Sequence, residues 1–295
     1  MSALGPRLTK AIRVRSDAVR HVYTAARRAG RYWRDGERRA ALRKLAQAPL
    51  SIGRDQGLAV VEPARFPEIA GVVTEARAGL DSFLATRQPA GQTQKRFLLP
   101  VVDPRSLTFD SAAVRLALRH DILAAVSHYL GVVPFLSAIS VLYSNVTDAA
   151  PMSSQLHHCD GDDVTQVKIF VYCSDVDEQS GPLTVLPADD SRRVRRALGY
   201  HYRQRLTDAQ VASVVGTGRE RPILGPVGTT VFVDTSRCFH YGSRVAPGAI
   251  PRLVTMIQYQ TPYSFMLPAG AQASLPFRRL IRSGMPALER LVLGE

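Results

Sequence analysis

Apolar positions change period along the chain, and each change predicts an element. In the first fifty residues Leu8, Ile12, Val19, Val22, Tyr23 and Ala26 recur at helical spacing among arginines. A second helical piece runs from Glu37 to Ala48 and stops at Pro49. Gly57 to Glu62 then reads as a short strand. Pro67 to Leu84 reads as a helix that places Ile69, Val72, Val73, Ala76 and Leu80 on one face. Ala85 to Lys95, rich in Gly, Gln and Thr, predicts an exposed loop able to cover a site. A further helix is expected from Ser111, a suitable N-cap, to Leu130, with Gly131 as its stop.

Beyond Gly131 the pattern turns to β. Pro134 to Val146, Val164 to Cys173, Pro182 to Pro187, Gly228 to Thr235 and Arg252 to Thr261 are runs of β-branched and aromatic residues bounded by turn formers. Asp189 to Tyr202 and Thr207 to Val215 interrupt them as helices. Short strands with most helices ahead of them predict an α+β chain built on a double-sheet barrel or jelly roll. The simplest division is a basic helical extension over residues 1–48, one domain over 49–272, and a helical tail over 273–295. That tail carries Phe277, Leu280, Ile281, Leu288, Leu291 and Val292 among arginines.

Charge sharpens this division. The 295 residues carry a net charge of +13, and ten of those charges belong to residues 1–48. The basicity therefore belongs to the extension and not to the body. Such an arm suits an anionic membrane surface or a protein partner, or else packs along one edge of the domain. It lacks the aromatic-basic repeats that stack on single strands, which argues against nucleic acid. No apolar run reaches the roughly 18 residues a spanning helix needs, and no signal-peptide core opens the chain. Cys159, Cys173 and Cys238 are an odd number without zinc-like pairing and are expected to be small apolar fillers, as in a reducing cytoplasm.

The candidate chemistry is gathered around Ser154-Gln155-Leu156-His157-His158-Cys159-Asp160, just before the strand from Val164. His158 and Asp160 share one face of extended chain, while His157 points to the other. Far downstream His240 stands in Arg237-Cys238-Phe239-His240-Tyr241-Gly242-Ser243, and Arg252 opens the last strand. Two histidines and a carboxylate are the donors of the non-haem Fe(II) facial triad, which leaves positions open for a co-substrate and O2. An arginine close by suits the far carboxylate of a keto acid. These residues predict an oxygenase site. His21, His120, His128 and His201 are given no role.

The ordered motifs resemble the phytanoyl-CoA dioxygenase family. The resemblance rests on Ser154 to Asp160, on Val167 to Glu178 followed by Ser180-Gly181-Pro182, and on Gly228 to Thr235 through His240, Gly242-Ser243 and Arg252. It spans roughly Gly57 to Pro262. It implies a double-stranded β-helix core of the jelly-roll or cupin kind, with Fe(II), 2-oxoglutarate and O2. The implied reaction hydroxylates an unactivated carbon and releases succinate and CO2. His158, Asp160 and His240 fall on the family's metal positions, and Arg252 falls on its 2-oxoglutarate arginine. Asn145 matches an amide that some relatives place against the co-substrate. Ser243 and Tyr143 are candidate hydrogen-bond donors to it; Lys168 either faces it or leaves the sheet edge, and Arg244 is a reserve anchor. The carboxylate at Asp160 argues against a halogenase, and Ala188-Asp189-Asp190 replaces a Gly-Ser-His common among relatives. The expected substrate is a small molecule, lipid-linked or a glycan precursor. The competing expectation is a non-catalytic jelly-roll scaffold held to a membrane or partner by its basic arm.

Overall fold

A computed structural model describes residues 4–47, 49–86, 97–146, 149–267 and 275–295. Three helices open it: α1 (Leu4–Ile12), α2 (Asp17–Gly30) and α3 (Gly36–Lys44). There follow β1 (Leu58–Val61), α4 (Ile69–Thr86), β2 (Leu98–Pro100), α5 (Ala112–Ala117), α6 (His120–Leu130) and β3 (Phe135–Ser144). The second half contains β4 (Gln166–Tyr172), β5 (Leu183–Val185), α7 (Ala188–Ala197), α8 (Asp208–Val215) and β6 (Arg221–Ile223). It closes with β7 (Thr230–Val233), β8 (His240–Tyr241), β9 (Leu253–Gln260) and α9 (Ala287–Leu293). Among the described residues no helix is long and apolar enough to cross a membrane.

The strands pair antiparallel in two sheets, a larger one in the order β1-β7-β4-β9-β3-β2 and a smaller one in the order β6-β5-β8. Alternation of side chains gives the large sheet two chemically different faces. Val167, Ile169 and Val171 of β4, with Leu253, Ile257 and Tyr259 of β9, point to the layer formed by α4, α5, α6 and α9. Phe170 and Tyr172 of β4 and Val254 of β9 point the other way, against Leu183 and Val185 of the small sheet. The cavity that carries the chemistry opens between the two sheets.

Local chemistry accounts for most boundaries. Ile69, Val72, Val73 and Ala76 are the buried stripe of α4, as their spacing predicts. Gly131 ends α6 in the left-handed conformation, with φ 71°. The helix expected from Ser111 to Leu130 is instead two helices, because Arg119 takes up extended backbone with ψ 133°. There its guanidinium bonds both Glu68 and Asp121. The two- and three-residue strands β2, β6 and β8 are too short for a periodic signal. Most of the Ala85–Lys95 loop lies outside the described residues. The three cysteines are buried and free.

The basic arm is fastened to the body through its arginines. Arg27 donates to the carbonyls of Tyr263, Ser264 and Leu267. Arg20, buried, donates to Asp163 O and lies 3.3 Å over the Tyr202 ring. Arg38, also buried, donates to Val133 O, Pro134 O and Leu291 O, tying the arm to both the start of β3 and the C-terminal helix. Replacing it removes a donor from each of these carbonyls, and Leu291 O keeps only the Gly294 amide among the described residues. Arg38→Met is expected to cost about 3 kcal/mol, read as a lower urea midpoint at unchanged slope, while exposed Arg43→Met stays near wild type.

Candidate metal centre

Backbone pairing between the sheet's last short strand and the upstream motif brings the three donors together. His158 N donates to His240 O at 3.1 Å and His240 N to His158 O at 3.0 Å, a two-way bridge joining residues 82 positions apart. The imidazole centroids are 4.2 Å apart. His158 Nδ1 lies 2.9 Å from Leu156 O, and His240 Nδ1 lies 3.1 Å from Cys238 O. A carbonyl only accepts, so each Nδ1 carries the proton and each Nε2 presents its lone pair inward. His158 Nε2 is 3.9 Å from Asp160 Oδ1, and His240 Nε2 is 3.8 Å from Asp160 Oδ2.

One ligand atom from each of His158, Asp160 and His240 lies within 4.8 Å of the others. Bonds of about 2.1 Å meeting near right angles set such donors about 3 Å apart, so an ion would draw the group together by roughly 1 Å. Burial pushes both imidazoles below their ordinary value, His158 further because His240 adjoins it, so both are neutral and able to ligate. Burial alone would raise the Asp160 carboxyl, but the Lys168 ammonium and the two imidazoles outweigh it and hold the group far below the usual carboxylate range. Lys168 Nζ donates to Asp160 Oδ2 at 2.7 Å, and Gln166 Nε2 donates to the same oxygen at 3.2 Å. The Asp160 amide is itself fixed on Thr235 O at 2.8 Å.

His157 turns away from this centre. Its Nε2 is 2.9 Å from Glu220 Oε1, its Nδ1 is 3.3 Å from Asp208 Oδ1, and its ring meets Tyr241 edge-on at 4.7 Å. Asp208 is gripped in turn by both terminal nitrogens of Arg244, whose Nε donates to Gln155 O. Arg244 is thereby committed to the outer wall, not held in reserve as an anchor.

The other end of the same cavity belongs to Arg252. The cavity, of about 350 Å³, is lined by His158, Asp160, His240, Lys168, Ser243 and Arg252 among others. Arg252 is buried; its Nη2 donates to Ser243 Oγ at 3.3 Å and the Tyr172 hydroxyl adjoins the group, while Nε and Nη1 have no hydrogen-bond partner among the described residues. Burial pulls the guanidinium below its ordinary value, with the neighbouring Tyr172 hydroxyl pulling back. Ser243 Oγ also meets Ser144 Oγ at 2.9 Å, and Gln155 Nε2 donates to Ser243 O. A Cβ at Gly242 would sit 3.0 Å from Arg252 Nη2, so a larger residue there would push on the guanidinium.

One expectation from β3 is corrected. Tyr143 pairs with Leu99 and Leu253 and packs against the helix-side core, so it faces away from the cavity. The neighbouring Ser144 points the other way, with its Oγ on Ser243 Oγ at 2.9 Å. Asn145 follows β3, with its amide N–H on Phe97 O at 2.9 Å. Ser144, Gln155 and Gly242 were passed over in the sequence; a Gly-Ser pair between a histidine and an arginine is the one signal that pointed towards them.

No protein-family model matches the chain, and no curated protein matches it. Solved structures do. EctD from S. alaskensis, with 2-oxoglutarate and 5-hydroxyectoine, aligns with a TM-score of 0.51 at 17% identity over 82% of this chain and 87% of that one. The form with bound Fe gives 0.52 at 16% identity over 72% and 78%. HygX from Streptomyces hygroscopicus, with nickel and 2-oxoglutarate, gives 0.46 at 16% identity over 70% and 83%. The EctD comparisons establish the fold: a jelly-roll core with flanking helices, the α+β architecture its strand pattern predicts.

Proposed function

We propose that this chain is an Fe(II)- and 2-oxoglutarate-dependent oxygenase that hydroxylates an unactivated carbon of a small, lipid-like or glycan-precursor molecule. One observation carries the reading. A cavity with three converging neutral or anionic donors at one end holds a buried guanidinium with unused N–H groups at the other. An unpartnered buried donor is costly unless something supplies its acceptor. The far carboxylate of a bound keto acid would supply it.

His158, Asp160 and His240 would hold the iron, and Arg252 with Ser243 would hold the distal carboxylate. Asn145 and Lys168 are assigned to the co-substrate's other end, where Lys168 also keeps Asp160 ionised and oriented. When bound, the iron and the keto acid supply the oxidising chemistry with O2, releasing succinate and CO2. The chain's own contribution is to fix the donors, hold the co-substrate and line the cavity with apolar Leu98, Pro100, Leu142 and Met256 so that water is kept from the reacting centre. The motif order supports placing the chain beside the phytanoyl-CoA dioxygenases. A non-catalytic scaffold has no use for a buried guanidinium with unpartnered N–H groups in the same cavity as three metal donors.

Anaerobic titration of the protein with Fe(II) and 2-oxoglutarate tests the proposal. The metal-to-ligand charge-transfer band of a chelated keto acid should appear, and turnover should yield succinate in proportion to 2-oxoglutarate and O2 consumed. A well-folded protein that shows neither is not this enzyme.

A further inference from the structure

α2 is packed inside out. Its arginine side faces the protein: Arg20 and Thr24 are buried, Arg27 is spent on three carbonyls, and Arg31 bonds Asp35. The opposite side carries Val19, Val22, Ala26 and Ala29 at spacings of three and four, and Trp33 lies one further turn along. All are exposed, Val22 to 72% and Trp33 to 89%. The body thus takes the polar face of an amphipathic helix and leaves the apolar stripe outward.

The charge around the stripe says what suits it. Arg28 and Arg34 of the same segment are exposed, as are Lys10 and Arg15. Of the arm's three acidic residues, Asp17 is tied to Arg195 and Asp35 to Arg31, which leaves Glu37. Beside the stripe, Ala18 and His21 of α2 form one rim of a cavity of about 750 Å³ whose other rim includes Arg192 and Arg196 of α7. A second copy of this chain would bring like-charged faces together. An anionic bilayer is matched on both counts, since a lipid surface takes a shallow apolar stripe and its phosphates take the cations.

We propose that this face of α2 docks on an anionic lipid surface, with Val19, Val22 and Trp33 at the headgroup-acyl boundary. Arg28 and Arg34 lie against lipid phosphates, and the neighbouring cationic cavity accepts a headgroup phosphate. The site is separate from the metal cavity and does not depend on its chemistry.

Trp33 is the single tryptophan of the sequence, so its emission reports on this face alone. With the full-length protein, phosphatidylcholine vesicles containing phosphatidylglycerol should shift that emission to shorter wavelength and carry the protein in flotation. Phosphatidylcholine alone should do neither, and raised salt should reverse the binding. Val22→Asp should weaken binding at least tenfold, and Arg28→Gln and Arg34→Gln about fivefold each, all with unchanged thermal midpoints because these side chains are exposed. Binding that ignores Val22→Asp, or no shift with phosphatidylglycerol, overturns the proposal. So does a monomer-dimer equilibrium that Val22→Asp abolishes, or an acidic protein that occupies the stripe in place of lipid.

Discussion

Replacing His158 with alanine should abolish the Fe(II)-keto acid charge-transfer band and weaken Fe(II) binding by at least about 100-fold, while His157→Ala keeps both. The two residues are neighbours in sequence, yet the fold separates their work completely. His158 contributes Nε2 to the donor group, and its bridge to His240 is made by backbone atoms that alanine retains. The variant therefore stays folded, and loss of the band cannot be ascribed to unfolding. His157 stands between Asp208 and Glu220 on the outer wall. Its loss removes the imidazole between Glu220 and Asp208, with Asp208 still held by Arg244, at a cost of about 1–2 kcal/mol in stability with the metal chemistry intact. Should His157→Ala lose the band and His158→Ala keep it, the assignment of the donors is shifted by one residue and the proposed centre is wrong.

That pair also shows how far the sequence could be read. The parity of extended chain was enough to put His158 and Asp160 together and His157 opposite them. Nothing in spacing alone could bring in His240, because the contact depends on a bridge between the motif and a two-residue strand; it entered as the third donor a triad needs, and the resemblance placed it on a metal position. Parity failed in β3 for a physical reason. Leu142 and Tyr143 are both apolar enough for either face, since the sheet is covered by helices on one side and by the second sheet on the other. Only the pairing of Tyr143 with Leu253, and hence of Ser144 with the Arg252 end, decides the face. The arm was legible as helical and basic, but not as inverted. A helical wheel shows that Arg20, Arg27 and Arg31 share a side; it cannot show that the body offers that side the carbonyls of Asp163, Tyr263, Ser264 and Leu267 to accept from Arg20 and Arg27.

Arg252 should give the most diagnostic result, because two of its effects have opposite signs. In the free protein its guanidinium is buried with Nε and Nη1 unsatisfied, a state that costs stability. Arg252→Met, of similar length and without charge, relieves that cost, so the free variant should be as stable as the parent or more stable, by up to about 2 kcal/mol. With the keto acid the order reverses. The parent gains stability as 2-oxoglutarate supplies the missing acceptors, whereas the variant should show almost no ligand-induced rise in thermal midpoint. Its Kd for 2-oxoglutarate should be higher by about 100-fold, the value of a desolvated charge-assisted pair. Fe(II) binding by His158, Asp160 and His240 should be unchanged, as should the mean stability of a variant at exposed Arg203 used for comparison. A structural arginine would behave in the contrary way, losing free-state stability on replacement and leaving the response to 2-oxoglutarate as it was. Measuring the thermal midpoint of both proteins with and without the keto acid therefore separates a residue placed to receive a carboxylate from one placed to hold the fold.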